Sequence, residues 1–257
     1  MASLSARALG GLPELRAGDD LGEIIAAAAG QDDLRDGQLL VIAHKVVSKA
    51  EGAVVSLAGV QPGARARELA GQARADGAGE RDPRAIQVVL DQSAEILRAD
   101  RGVLICRTHQ GFVCANAGVD ASNSADGETL VLLPPDPDRS ARLLRARLRE
   151  LTGASLGVLI ADSFGRAWRH GQVDVAIGLA GMQPLDDWRG RRDARGLELR
   201  ATWLAVADAA AAIGELARSK DSREPVILID GLERFVGEQH GPGAVALLRP
   251  LEEDMFR

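Results

Sequence analysis

The feature that most constrains this chain is a nearly unbroken apolar run, QLLVIAHKVV, at residues 38–47. A run this apolar and β-branched reads as a mostly buried strand. Further strands are expected at residues 129–133, 156–161, 173–177 and 225–229. Residues 102–108 and 112–119 flank His109-Gln110-Gly111 and read as a hairpin with Gly111 at the turn. Helices alternate with these strands, at residues 20–29, 65–75, 137–151 and from about Ala205 to Arg218. The clearest is 137–151. Asp136 is a good N-cap and Pro137 sits where a missing N–H does no harm. Leu144, Leu148 and Leu151 share one face, and Gly153 stands just past the end. Strands and helices without a strict βαβ rhythm give an α+β class with a mixed, partly antiparallel sheet and flanking helices. At 257 residues the chain is long enough to bury a proper core, and it is read as a single domain, with the polar stretch at residues 73–83 as a surface loop.

Composition narrows the function. Acidic residues outnumber basic ones, 37 to 31, aromatic residues make up 3%, and there is no Tyr. Phosphate-backbone binding relies on Lys and Arg, and base stacking on aromatic faces, so no nucleic-acid partner is expected. Two cysteines, Cys106 and Cys114, match no metal or redox spacing. No signal-peptide run and no bilayer-length apolar stretch is present, so the expectation is a cytoplasmic protein with no membrane partner. GxxxxGK[ST], HExxH and GxSxG are missing. Residues 241–246 fit G-x-G-x-x-A, but Pro242 and the polar VGEQH before it spoil the strand–turn–helix context that a dinucleotide site needs.

Several segments could carry chemistry. AGVDASN at residues 117–123 delivers Asp120 among small neighbours, with Asn123 three residues on. There is room for a phosphate or hydrated cation, or the segment is an Asx turn. ADSFGRAWR at residues 161–169 ends a buried strand in Asp162 and Ser163, hard oxygen donors suited to Mg²⁺ or Mn²⁺. Arg166 and Arg169 follow, and Arg forks bind phosphate or carboxylate. Alternatively, Asp162-Ser163 caps a helix. HKVVSK at residues 44–49 places Lys45 and Lys49 at a strand end, as phosphate contacts or as solvated charges. Asp174 lies between apolar strand residues, where a carboxylate is costly unless paired, metal-bound or turned to solvent. Together these describe a metal-dependent site handling phosphate, with no obvious nucleophile.

The same segments carry a family resemblance. GLPELRAGDDL, HKVVSKAEG, GFVCANAGVDASN, LLPPDPDRSARLLR, ADSFGRAWRHGQVDVAIG, ATWLAVAD and LLRPLEEDMF run in order over nearly the whole chain. They resemble the coenzyme F420:L-glutamate ligase family, the γ-glutamyl ligases of deazaflavin coenzyme biosynthesis. The resemblance implies a GTP-dependent enzyme in which GTP phosphorylates the carboxylate of the deazaflavin precursor F420-0. The amine of L-glutamate then attacks the acyl phosphate, and further glutamates join by γ-linkage. It also implies the family's α+β fold, a homodimer with the site near the subunit interface, two divalent ions (Mg²⁺ or Mn²⁺), and potassium as a supporting ion. Since the chain stops at Arg257, it reads as the stand-alone form without a second flavin-reductase-like domain.

Position by position, Leu12, Pro13, Glu14, Leu15, His44, Lys49 and Asn123 match nucleotide contacts. Asp120 and Asp162 match ligands of one divalent metal, and Ser163 matches a ligand of the second. Lys220 falls in a further nucleotide loop. Substrate binding by Arg166, Arg169 and Asp174 is our own expectation. Departures are His44 for Ser or Thr, Ser163 for Thr, Ala209 for Glu, and Asp230 for Arg. The last is expected to reverse a charge near the site. Rival readings are a metal-dependent phosphohydrolase, a non-catalytic nucleotide-binding module, and a plain structural protein.

Overall fold

A computed structural model describes residues 3–30, 34–77, 79–121 and 127–254. The chain opens with β1 (Ser5–Leu9), α1 (Leu21–Ala29), β2 (Leu39–Ala43) and α2 (His44–Ala50). A middle segment follows, with β3 (Val54–Ser56), α3 (Ala64–Ala75), α4 (Pro83–Asp91), β4 (Ser93–Asp100), β5 (Val103–Thr108), β6 (Val113–Ala115) and β7 (Thr129–Val131). The remainder is α5 (Pro137–Thr152), β8 (Gly157–Arg166), β9 (Arg169–Ala180), β10 (Leu185–Asp187), β11 (Trp203–Ala205), α6 (Val206–Leu216) and β12 (Val226–Asp230).

Five of the strands form the central sheet in the order β1-β12-β2-β8-β9. β2 and β8 run parallel, and the other neighbours are antiparallel. The mixed, partly antiparallel sheet with flanking helices is therefore as expected. Its middle strands are buried on both faces because their side chains alternate between two apolar layers. Leu40, Ile42, Val158, Ile160 and Leu228 pack with Ile25 of α1 and Leu144 and Leu148 of α5. Leu39, Val41, Leu159, Ile227 and Ile229 pack with Ala207, Ala210 and Ala211 of α6. The middle segment has separate apolar clusters, one around Leu69, Val89, Leu104 and Cys106, the other around Leu57, Val88 and Leu130.

The cap chemistry of α5 is as the sequence indicates. Asp136 accepts from the Arg139 N–H, Pro137 is at the first turn, and Gly153 closes the helix with φ +75°. β5 and β6 form the expected hairpin, with Gly111 at φ +98°. Three expectations are corrected. The strand read over residues 38–47 stops at Ala43, and His44 begins a helix. The strand before Asp162 does not end there but runs on to Arg166 and turns back as β9. Residues 83–91 and 93–100, not anticipated, are helix and strand.

β9 is an edge strand, yet three of its N–H groups are not left to pair with another strand. Carboxylates from the flanking helices cap them instead. Glu215 and Asp208 of α6 accept from Asp174 and Ala176, and Asp138 of α5 accepts from Leu179. Asp138 also accepts from Ala244 at 2.7 Å and Val245 at 3.2 Å, tying the C-terminal segment to the sheet. A Cβ on Gly243 would lie 2.3 Å from an Asp138 oxygen, at a φ of +87°. The glycines of the G-x-G-x-x-A pattern thus serve packing. Buried Arg145 adds a second tie, donating to the carbonyls of Leu156, Gly237 and Glu238. No described helix is long and apolar enough to cross a membrane.

Asp138 holds three backbone N–H groups, so Asp138→Ala is expected to lower the unfolding free energy in urea by about 3 kcal/mol, with Asp138→Asn costing less. The exposed neighbour Arg139, changed to Ala, is expected to move it by no more than about 0.5 kcal/mol.

Candidate active site

One edge of the central sheet gathers the site. β2 and β8 pair in parallel with Ala43 opposite Ala161, so both chains reach the same edge at the next residue. His44 and Asp162 therefore become neighbours although 118 positions separate them in sequence. β12 runs antiparallel to β2, and the Ala43 N–H donates to the Pro225 carbonyl. β1 ends there too, and delivers the loop that follows it. In open sheets, ligand crevices form at the carboxyl ends of parallel strands, and this edge has that character.

The result is a cleft of about 630 Å³. Leu12, Pro13, Glu14, Leu15, His44, Lys49, Asp162, Ser163, Asp174 and Lys220 all line it, from five separate segments of the chain. Sequence reasoning had singled out each of these ten. The structure places the others elsewhere. Asp120 lines a neighbouring cavity of about 360 Å³ beside Leu69, Ile86 and Val119. It pairs with Lys45 at 2.5 Å, and Lys45 lines the first cleft. Arg166 and Arg169 face each other at the exposed tip of the β8–β9 hairpin, beyond the cleft lining. Asn123 lies outside the described residues.

A connected polar network forms the cleft wall on the β9 side. Ser163 sits opposite Asp174 across the β8–β9 ladder. Its hydroxyl donates to Asp174 Oδ1 at 2.5 Å and accepts from Lys220 Nζ at 2.9 Å. Asp174, only 1% exposed, is paired through its other oxygen with Arg218 at 2.8 Å. That is the partner a buried carboxylate requires. Lys220 also reaches Glu215 at 2.9 Å. Burial works to raise the Glu215 carboxyl, but its bonds from Lys220 and the Asp174 N–H, with the Arg218 charge, hold it below its ordinary value. Arg218 and Glu215 were not anticipated. Their one sequence signal is that Asp208 and Glu215 stand seven apart on α6, which puts two carboxylates on the same face of an otherwise alanine-rich helix.

The other wall is α2. Lys49 pairs with Glu14, bringing the loop after β1 to the cleft rim. His44, 2% exposed, has Nδ1 3.4 Å from Ser48 Oγ and Nε2 3.3 Å from Asp162 Oδ1. Neither cysteine offers a reactive thiol. Both are buried, and burial together with the Asp162 charge pushes Cys114 up to about 12. The departures noted in sequence fall away from the cleft, His44 and Ser163 excepted. Asp230 is at the far end of β12 from Pro225, bonded to Arg35 and Gln38. The charge change there is not at the site, contrary to the expectation. Ala209 faces outward on α6.

Among the described residues, no three of His, Cys, Asp and Glu are grouped as a metal cage. The cleft nevertheless suits a hard cation. Asp162 has no Lys or Arg paired with it among the described residues, while a carboxylate, a hydroxyl and a buried imidazole nitrogen without a hydrogen bond converge there.

The network's electrostatics give a pH signature. Glu215 has a lowered pKa in the folded chain, so its stabilisation is full above its ordinary value of 4.5 and is lost as pH falls through the folded value. Asp208 is raised by burial, so its favourable contribution is complete below 3.8 and is lost as pH rises through the folded value. Urea unfolding at pH 7 is therefore expected to show Glu215→Gln less stable than the parent by about 1 kcal/mol, the gap closing on acidification. Asp208→Asn, which keeps an acceptor for Ala176, is expected to be neutral or stabilising at pH 7 and to lose ground as pH falls.

Comparison with known proteins bears on what this cleft handles. The profile of the F420-0:gamma-glutamyl ligase family matches residues 11–231. A protein of Methanopyrus kandleri named coenzyme F420:L-glutamate ligase is 43% identical, the match covering 97% of this chain and all of that one. A protein of the same name from Methanothermobacter thermautotrophicus is 41% identical over 96% of each chain. Another from Halobacterium salinarum is 41% identical, over 99% of this chain and 96% of its own.

Proposed function

The chain belongs to the F420-0:gamma-glutamyl ligase family, and on that premise we propose that it joins L-glutamate to the deazaflavin coenzyme F420-0 at the expense of GTP. The observation that carries the reading is the make-up of the cleft at the β2–β8 edge. It is lined by five cations, Lys45, Lys49, Arg218, Lys220 and Arg223, together with Asp162 and Ser163, and neither cysteine lines it. Such a wall suits a polyphosphate and a reaction governed by positioning and charge rather than by a protein nucleophile.

In the proposed reaction a carboxylate oxygen of F420-0 attacks the γ-phosphorus of GTP, and the bond to the bridging oxygen breaks to release GDP. The amine of L-glutamate then attacks the acyl phosphate carbon. Phosphate leaves, the nitrogen loses a proton, and an amide remains. Repetition on the new γ-carboxylate extends the tail. Leu12, Pro13, Glu14, Leu15 and Lys49 hold the nucleotide at the rim with Lys220, and Asn123, outside the described residues, is a further nucleotide contact in the same reading. In place of a direct substrate contact, Asp174 fixes Ser163 and Arg218 through the two bonds it makes. Asp162, Ser163 and, from the adjoining cavity, Asp120 are the residues that would hold divalent cations, Mg²⁺ or Mn²⁺. When bound these would neutralise polyphosphate charge. Potassium as a supporting ion and a homodimeric state belong to the same reading.

Mass spectrometry of F420-0 incubated with the chain, GTP, a divalent salt and L-glutamate is expected to show gain of glutamyl units, with GTP consumed only when both acceptor and amino acid are present. GTP turnover without glutamate and without a mass gain would instead indicate a phosphohydrolase. Arg166 and Arg169 stand three or more residues beyond Ser163 along the hairpin, roughly 10 Å at the rise of a strand. In the proposed reading they meet an outlying carboxylate of the amino acid. Arg169→Ala is expected to raise KM for glutamate several-fold and leave KM for GTP unchanged. An unaltered glutamate KM would remove the arginine from the site.

A further inference from the structure

His44 is the one histidine of four that lines the cleft. Its side chain is 3% exposed, and its Nε2 makes no hydrogen bond although Asp162 Oδ1 is only 3.3 Å away. A buried polar nitrogen left unsatisfied is costly, so the arrangement calls for a ligand. An ion pair would satisfy both groups only if an N–H were aimed along the line between them, and it is not. The other ring nitrogen has a partner of its own. Nδ1 faces Ser48 Oγ, one helical turn further along α2 and fully buried. Nε2 faces the same gap as Asp162 Oδ1, which also accepts from the Ser163 N–H at 2.8 Å. An imidazole nitrogen and a carboxylate oxygen that share one gap without a hydrogen bond between them are a pair of donors that a cation would bridge.

The spacing fits a metal ion. Two ligands of a tetrahedral cation with bonds of about 2.0–2.1 Å lie about 3.3 Å apart, and adjacent ligands of an octahedral one about 3.0 Å. Most of the positive groups that line the cleft are already paired, and Arg223 is exposed at its rim. Lys45 is paired with Asp120, Lys49 with Glu14, and Lys220 with Glu215 and Ser163. No Lys or Arg is paired with Asp162 among the described residues. The contact to Ser48 is the second partner that a metal-binding imidazole ordinarily has.

We infer that His44 Nε2 and Asp162 Oδ1 are two ligands of one divalent cation, so that this chain's site has an imidazole donor where the family resemblance implies a hydroxyl side chain and a nucleotide contact. The inference rests on the proposed use of Asp162 as a cation ligand and adds a nitrogen to it. Imidazole suits transition metals better than Mg²⁺, which takes oxygen. The chain therefore prefers Mn²⁺ over Mg²⁺ by a wider margin than an all-oxygen site would.

Pulsed electron paramagnetic resonance on the full-length chain loaded with Mn²⁺, alone and with GDP, tests this directly. Two samples are compared, one with ordinary histidine and one with histidine labelled by nitrogen-15. The expected result is a nitrogen coupling on bound Mn²⁺ that changes with the label and vanishes in His44→Ser. In calorimetry His44→Ser is expected to weaken Mn²⁺ binding at least tenfold and Mg²⁺ binding far less, with His44→Gln intermediate. The labelled parent needs no substitution, so a variant that folds poorly does not spoil the test. Stoichiometric Mn²⁺ with no histidine coupling overturns the inference and leaves the ligase reading standing. No Mn²⁺ bound with or without GDP overturns both the inference and the cation site. Failure of the ligase reading itself registers separately, as the lack of glutamyl transfer.

Discussion

The parallel pairing of β2 with β8 is the constraint on which the rest of the structure depends. Two apolar strands with no sequence proximity lie side by side with Ala43 opposite Ala161, and that single register sets His44 beside Asp162. A slip of one residue would send the buried side chains of a strand to the wrong layer, so the apolar core enforces the register that the cleft needs. The antiparallel neighbours then complete the edge. β12 brings Pro225 and the loop before it, and β9 brings Asp174 opposite Ser163.

The cost of building a polar cleft on a buried sheet is met locally. Asp174 would be intolerable at 1% exposure without Arg218, and the edge of β9 would be open to pairing without Glu215, Asp208 and Asp138. Glu215 serves both purposes, since one of its oxygens caps the strand and the other receives Lys220. Fold stability and the charge of the cleft are thereby coupled through α6. Asp138 and Arg145 do the corresponding work on α5, where they anchor the C-terminal segment away from the cleft.

Much of the local structure was legible. α5 announces itself by Asp136, Pro137, its leucine spacing and Gly153, and the β5–β6 hairpin by its central glycine. α2 was not legible, because Val46 and Val47 read as strand and a seven-residue helix owes its existence to packing more than to propensity. β4 is mostly exposed, with half-buried residues only at every third position and no apolar run to mark it. At the site, ten of the candidate residues proved to share one cleft because motif resemblance had grouped them in advance. What no spacing could reveal was the contact between segments more than a hundred residues apart, or the partners Arg218 and Glu215 that such contacts recruit. Asp230 shows the converse. The family resemblance suggested a place near the site, but a five-residue strand carries it to the other end of the sheet.

The account stands on the cleft at the β2–β8 edge being where the nucleotide binds. A crystal structure of the chain grown with GDP and a divalent cation measures this most directly. The predicted result is diphosphate density between the loop carrying Leu12–Leu15, Lys49 of α2 and Lys220. Density for the nucleotide in the neighbouring cavity beside Leu69 and Ile86, or anywhere else away from Asp162, would contradict it.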